Sequence, residues 1–340
     1  MIKNYLEKIS SGESLTIKEA YEVMVSIMNG ECNNSQIAGL LLALRTKGET
    51  AEEVAGFTQA MRFMSTKISC SDNNAIDVCG TGGDCSNTFN ISTAASFVVA
   101  GAGIKVAKHG NRSVSSTSGS ADVLTELGIN INLSPGQSEE ALNEIGIAFL
   151  FAPLYHPAMK FAAGVRKELG IKTIFNMLGP LTNPAGTKRQ LVGTYNNKAA
   201  LLMANAAFHL DMDKVSFICT NDIYDEISLT HPTAVYEYNR GSGLNCYELT
   251  SDSFGYKSID INKIKSDTAG NNALIILSVL RDKIKNEAFY VVAANAALAI
   301  YTSGYSMTIM EALNAAEESI LSGRAYNKLN CLKLFGEKYS

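Results

Sequence analysis

Apolar residues recur at three- and four-residue spacing through the first 66 positions. Ala20, Val23, Met24, Ile27 and Met28 form one such stripe, and the spacing predicts an amphipathic helix. Thr16 and Glu19 precede it as a capping box, and Asn29-Gly30 stops it. Ile37, Leu40, Leu41 and Leu44 mark a second helix ending at Gly48. Thr50 and Glu53 open a third, with Val54, Phe57, Met61 and Met64 facing inward. Three short helices enclose little core of their own, so they must pack on another domain or a second subunit. Residues 1–70 are therefore expected as a helical domain, joined in space by part of 155–185.

Residues 67–75 are polar and irregular and form the connection. From Ile76 the period changes, and short apolar runs alternate with helical segments. Strands are expected at 76–79, 104–107, 148–151, 191–195 and 215–219. Helices at 94–100, 121–127, 139–145 and 199–210 fall between them. That alternation predicts an α/β domain with a mainly parallel central sheet over 71–340. The apolar stretch 288–301 is interrupted by Asn295 and is too short to span a bilayer. It is expected as an Ala-rich buried helix ending near Gly304.

Composition narrows the class. With 340 residues, 46% hydrophobic and 18% charged, the chain is long enough for two domains and has the make-up of a water-soluble globular protein. A net charge of −4 argues against a nucleic-acid-binding surface while permitting a local basic pocket. The seven cysteines are odd in number and contain no Cys-x-x-Cys pair, which suits reduced thiols in a cytoplasm. The N-terminal residues lack an apolar h-region, so no signal peptide is expected. Neither a membrane nor a nucleic-acid partner is expected.

Two glycine-rich loops carry the first candidate chemistry. Gly80-Thr81-Gly82-Gly83-Asp84 and Lys108-His109-Gly110-Asn111-Arg112 stand one strand–helix unit apart. In a parallel strand–helix–strand unit both emerge at the carboxyl edge of one sheet. The first feeds a helix N-terminus, which attracts anions. Thr88, Asn90, Ser92 and Thr93 add hydroxyl and amide groups. The first loop fits neither the P-loop nor the dinucleotide spacing. Asp84 would repel a bare phosphate, so a metal-bound diphosphate fits better. The second loop brings Lys108 and Arg112 as fixed cations, and His109 either orients a ligand or bonds within the loop. Two such loops at one edge suit a ligand with two anionic ends.

Asp225-Glu226 is a third element. In a loop, adjacent carboxylates can reach one Mg²⁺ directly or through its waters. Alone the pair would be a solvated turn; the phosphate loops give it weight. A fourth element runs from Tyr155-His156-Pro157 through Arg166 to Gly179-Pro180-Leu181-Thr182-Asn183-Pro184. By helical spacing His156, Ala163 and Arg166 share one face, and an arginine there suits a carboxylate.

The stretches GTGGD, NTFNIST, KHGNRSVSS, SGSAD, RKEL, GPLTNP and DEISL, in this order and spacing, resemble the anthranilate phosphoribosyltransferase family over nearly the whole chain. The resemblance implies an N-terminal helical domain plus a large α/β domain of the nucleoside phosphorylase class. It also implies a cytoplasmic homodimer joined through the helical parts. The implied reaction moves the 5-phosphoribosyl group of phosphoribosyl pyrophosphate to the amine of anthranilate, with Mg²⁺, expected as two ions, in tryptophan biosynthesis. Gly80, Gly83, Asp84, Thr88, Asn90, Ile91, Ser92 and Thr93 would line the phosphoribosyl pyrophosphate site. Lys108, His109, Gly110, Asn111, Arg112, Ser113, Val114, Ser115, Ser116 and Ser120 would contact its phosphates and ribose. Gly80, Asn111, His156, Arg166 and Pro180 would meet anthranilate, and Ser92, Asp225 and Glu226 would hold the metal. One departure is Thr117, where many relatives carry Lys; it removes a charge beside the phosphates.

No residue is expected as an indispensable acid or base, because the aromatic amine is already neutral at pH 7. Positioning and leaving-group stabilisation, with Lys108 contributing charge, would supply the catalysis. A pyrimidine nucleoside phosphorylase of the same architecture would be longer and carry a different glycine loop. A non-catalytic nucleic-acid-binding relative would show a basic surface and eroded motifs.

Overall fold

The computed structural model describes residues 2–83, 87–112 and 118–339. Four helices form the N-terminal part: α1 (Ile2–Ser10), α2 (Ile17–Met28), α3 (Asn34–Lys47) and α4 (Ala51–Met64). The capping boxes Thr16/Glu19 and Thr50/Glu53 both form, and Asn33/Gln36 makes a third ahead of α3. Sequence spacing does not anticipate α1. It buries only Ile9 and is tied down from outside, by Lys8 to Glu19 at 2.7 Å.

Strands and helices then alternate: β1 (Ile76–Gly80), α5 (Ile91–Gly101), β2 (Val106–Gly110), α6 (Ser120–Glu126), α7 (Pro135–Glu144) and β3 (Ile147–Phe151). Next come α8 (Ala152–Tyr155), α9 (Lys160–Leu169), α10 (Phe175–Leu181), β4 (Arg189–Gly193), α11 (Asn197–Ala207) and β5 (Lys214–Thr220). A hairpin of β6 (Thr233–Asn239) and β7 (Gly243–Leu249) precedes α12 (Ala269–Leu280), α13 (Glu287–Thr302), α14 (Ile309–Leu321) and α15 (Arg324–Glu337).

Among the described residues the strands form one seven-stranded sheet in the order β3-β2-β1-β4-β5-β6-β7. Strands β1 to β5 pair in parallel, whereas β6 and β7 add on antiparallel. The chain is thus a helical bundle plus an α/β unit with a mostly parallel sheet. Alternate strand residues face opposite layers. Val78, Leu191 and Ile218 join a core with α5, α12, α13, α14 and α15. Cys79, Val192 and Phe217 join a second core with the N-terminal helices, α9, α10 and α11.

Two strand positions differ from expectation. The strand β2 begins at Val106 and not at 104, because Gly103 adopts φ 99° and closes the turn after α5. Lys108 and His109 therefore lie within a buried strand and not in a loop. The strand β4 spans Arg189–Gly193 and not 191–195, since its rungs with β1 run from Ile76–Arg189 to Gly80–Gly193. The β6–β7 hairpin is unanticipated: β7 is an edge strand with a largely open face, so its sequence lacks an apolar run.

Candidate active site

The carboxyl end of β1 is held open by glycines. Thr81 donates its N–H to Gly193 O at 2.8 Å, and the Thr81 hydroxyl accepts from Tyr195 N at 3.1 Å. Gly82 and Gly83 then turn with φ of 63° and 76°, a region that favours glycine. Helix α5 starts at Ile91, and the Asn90 side chain makes no capping bond to it. The Asn90 N–H instead donates to Asn272 Oδ1 at 2.6 Å. The positive end of the α5 dipole is left without a side-chain cap, as an anion site requires. Ile91 and Thr93 are fully buried, so a ligand there meets main chain.

Opposite this helix end stands Lys108, 4% exposed. Its Nζ donates to Val78 O at 2.6 Å and to Ser92 Oγ at 3.3 Å. Burial lowers its pKa, while Asp77, Asp225 and Glu226 work in the other direction. Asp225 and Glu226 lie in the loop after β5, packed across the ends of β1 and β4. A Cβ at Gly193 would stand 1.8 Å from Asp225 O, and one at Gly80 would stand 2.8 Å from Asp225 Oδ2. Thr88 Oγ1 donates to Glu226 Oε2 at 3.3 Å. One ammonium, two carboxylates and the Thr88 and Ser92 hydroxyls thus gather over one sheet edge. Adjacent carboxylates beside a hydroxyl are the hard oxygen donors that Mg²⁺ takes, with substrate phosphates completing its shell. The residues present fit that ion.

A polar network sits beneath. Asp77, fully buried, accepts from His109 N at 3.1 Å and from Gln190 Nε2 at 3.4 Å. Burial pushes Asp77 up to about 6. Gln190 also donates to Pro180 O at 2.8 Å, and Asn183 Nδ2 donates to Ala107 O at 2.8 Å. The segment around Pro180 is thereby tied to the strands. The His109 and His156 rings lie 5.3 Å apart. Burial, and next His156, push His109 down to about 3; burial pushes His156 down to about 4. Both imidazoles are neutral at pH 7. His156 Nε2 lies 3.1 Å from Thr182 O, which places the proton on Nε2 and leaves Nδ1 as an acceptor.

Some expected placements are corrected. His156 does not share a helix with Arg166: it separates α8 from a short 3₁₀ turn, Pro157–Met159, at φ −122° and ψ 59°. Arg166, on α9, lies 5.1 Å over the Phe175 ring, and among the described residues no carboxylate pairs with it. Arg112 is not an unengaged cation: Nη1 donates to Asp122 at 2.7 Å. Asn111 is exposed, with Oδ1 accepting from Arg112 N at 2.7 Å. Gly110 admits Ser120, whose Oγ would be 2.4 Å from a Cβ there. Asp84, Ser113, Val114, Ser115, Ser116 and Thr117 lie outside the described residues. Sequence patterning overlooked Asp77, Gln190 and Asn272. Asp77 alone left a signal, a carboxylate inside the apolar run from Ile76 to Cys79.

Comparison with known proteins agrees with this architecture. Residues 72–326 match the a/b domain of the glycosyl transferase family, and residues 3–64 match its helical bundle domain. A curated anthranilate phosphoribosyltransferase of Geobacillus stearothermophilus is 45% identical over 333 residues, covering 98% of each chain. One from Clostridium kluyveri is 45% identical over 96% of this chain and 97% of its own. The crystal structure of anthranilate phosphoribosyltransferase from Thermus thermophilus superposes with a TM-score of 0.91 at 37% identity, over 98% of this chain and 99% of that one. The Saccharomyces cerevisiae enzyme in complex with phosphoribosyl pyrophosphate and Mg superposes at 0.90 with 26% identity, over 99% and 98%. This chain belongs to the anthranilate phosphoribosyltransferase family.

Proposed function

We infer that this protein transfers the 5-phosphoribosyl group of phosphoribosyl pyrophosphate to the amine of anthranilate, in tryptophan biosynthesis, with Mg²⁺. The observation that carries this is the meeting of Lys108, the uncapped N-terminus of α5 and the Asp225–Glu226 pair over one sheet edge. In the reaction the bond from ribose C1 to the pyrophosphate oxygen breaks, and its electron pair leaves with pyrophosphate. The amine lone pair bonds to C1, and the surplus amine proton passes to solvent.

Mg²⁺, when bound, neutralises phosphate charge, and Asp225, Glu226 and Ser92 are proposed to hold it as two ions. The main-chain donors near Gly80 to Gly83 and at the start of α5 cradle the phosphates, beside Thr88, Asn90 and Thr93. Lys108 adds fixed charge where the leaving group accumulates it. The second loop, Lys108 to Ser116 with Ser120, is assigned to phosphate and ribose. Arg112 is exposed in its pair with Asp122, so exchanging that partner for a phosphate costs little. Arg166, with no competing carboxylate among the described residues, is suited to the anthranilate carboxylate, alongside Gly80, Asn111, His156 and Pro180. Neutral imidazoles at His109 and His156 present no charge to the aromatic ring.

The shared core of residues 1–64 with α9 and α10 supports a helical domain of 1–70 completed by part of 155–185. A homodimer through this layer is proposed because it exposes Phe63 at 70% and Leu42 at 42%. Six described cysteines are unpaired, as suits a cytoplasmic protein. The test follows loss of anthranilate fluorescence with phosphoribosyl pyrophosphate, with and without Mg²⁺. Loss that needs both supports the assignment, and no loss under any condition removes it.

A further inference from the structure

The mid-helix amide of α13 lies in apolar surroundings and serves a loop on another element. Asn295 is 3% exposed, between Ala293-Ala294 and Ala296-Ala297, all fully buried. Asparagine is a poor interior helix residue, and a buried amide requires partners. Asn295 finds one in its own helix and two at Ile227, outside it. Its Oδ1 accepts from Ile227 N at 3.0 Å, and its Nδ2 donates to Ile227 O at 2.9 Å and to Val291 O at 2.9 Å. From the other side Thr220 Oγ1 donates to Glu226 O at 2.6 Å. The Glu226–Ile227 peptide group is thus gripped at both ends, its oxygen by Thr220 and its nitrogen by Asn295. A peptide plane held this way fixes the directions in which Glu226 and its neighbour Asp225 project. The nearby backbone is otherwise unusual, with Asn221, Asp222 and Leu229 at φ of 53°, 57° and 59°, so local propensity does not set the loop's course.

We propose that Asn295 is a positioning residue which, with Thr220, orients the Asp225–Glu226 turn toward the metal-bearing polyphosphate. This deepens the functional assignment above and rests on it. Groups that orient metal ligands from behind commonly change metal affinity or activity by about 10- to 100-fold when replaced.

The experiment compares Asn295→Ala and Thr220→Val with Leu298→Ala, a cavity substitution on the same helix whose side chain makes none of the hydrogen bonds of the grip. Thermal midpoint, initial rate against Mg²⁺ and calorimetric binding of phosphoribosyl pyrophosphate in Mg²⁺ are measured for each. Asn295→Ala and Thr220→Val are expected to raise half-saturating Mg²⁺ about tenfold and to weaken binding of the Mg²⁺–phosphoribosyl pyrophosphate pair, leaving the anthranilate KM within about twofold. Leu298→Ala is expected to lose thermal stability with an unchanged Mg²⁺ requirement. If Asn295→Ala does not fold, Thr220→Val carries the test alone. An unchanged Mg²⁺ requirement, or a shift equalled by Leu298→Ala, overturns the proposal. Wild-type protein that consumes no anthranilate overturns instead the functional assignment on which it rests.

Discussion

Arg166 stands over Phe175 with no carboxylate partner among the described residues, a guanidinium held ready for a planar anion. Replacing it with Ala removes a charge-assisted hydrogen bond valued at about 1.5–3 kcal/mol. The expected outcome is an anthranilate KM raised roughly 10- to 100-fold with the phosphoribosyl pyrophosphate KM nearly constant, read from steady-state kinetics. The buried histidines give a second prediction. Folded, His109 and His156 hold near 3 and 4, below their ordinary value, so the unfolded chain binds the extra protons as pH falls. Stability present above pH 6.5 is therefore lost on acidification, His156 alone contributing on the order of 3 kcal/mol. Asp77 opposes this. Raised to about 6, it takes its proton first in the folded state and offsets one histidine between that pH and its ordinary value. Urea midpoints should fall as pH drops below 6.5, by less than two histidines alone would give, and His156→Gln should flatten the curve. The same residues show what the sequence conceals. Lys108 and Arg112 read alike as loop cations, yet one is buried in a strand and the other already has a partner. Charge type is written in the chain; burial and pairing depend on neighbours distant in sequence.

At the scale of elements, Gly193 decides how closely the Asp225–Glu226 loop can lie on the sheet. A Cβ there would meet main-chain atoms of Asp225, which cannot rotate away. Gly193→Ala should cost about 1–3 kcal/mol of stability and also depress kcat by displacing that loop. At Gly80 the obstacle is the Asp225 carboxylate, a movable group, so Gly80→Ala should depress kcat with little change in thermal midpoint. Equal stability losses for the two would contradict this distinction. Helices with capping boxes and apolar stripes were legible in detail, as α2 and α4 show. Those fixed by outside contacts, such as α1, were not. Strand ends followed ladder register instead of the apolar run, and β7 gave no pattern because an edge strand has one open face. The four motif segments were recognisable by residue type, but the amides that fasten them, Asn272 and Asn295, were not. An asparagine inside a helical stretch signals only an interruption until its partner is seen.

For the molecule as a whole, ligand binding at this sheet edge should appear as stability. Phosphoribosyl pyrophosphate with Mg²⁺ at about a hundred times its dissociation constant should add about 2.7 kcal/mol, visible as a raised melting temperature. Chelation with EDTA should abolish the increase. The Asp225→Asn, Glu226→Gln double variant should melt near the wild-type temperature yet show no ligand-induced rise, and a full rise would remove these carboxylates from the site. The antiparallel turn of the sheet has a further consequence. Thr220 and Thr233 face each other on one rung of β5 and β6, so residues 221–232 leave and re-enter the sheet at the same edge. A helix-linked crossover would have carried the chain to the far edge and back. Because both ends are anchored side by side, the intervening segment spans a short fixed gap, and its course is set by what it touches, Gly193 on one side and Asn295 on the other. Residues between those two contacts can change in type without shifting the register of β5 on β6.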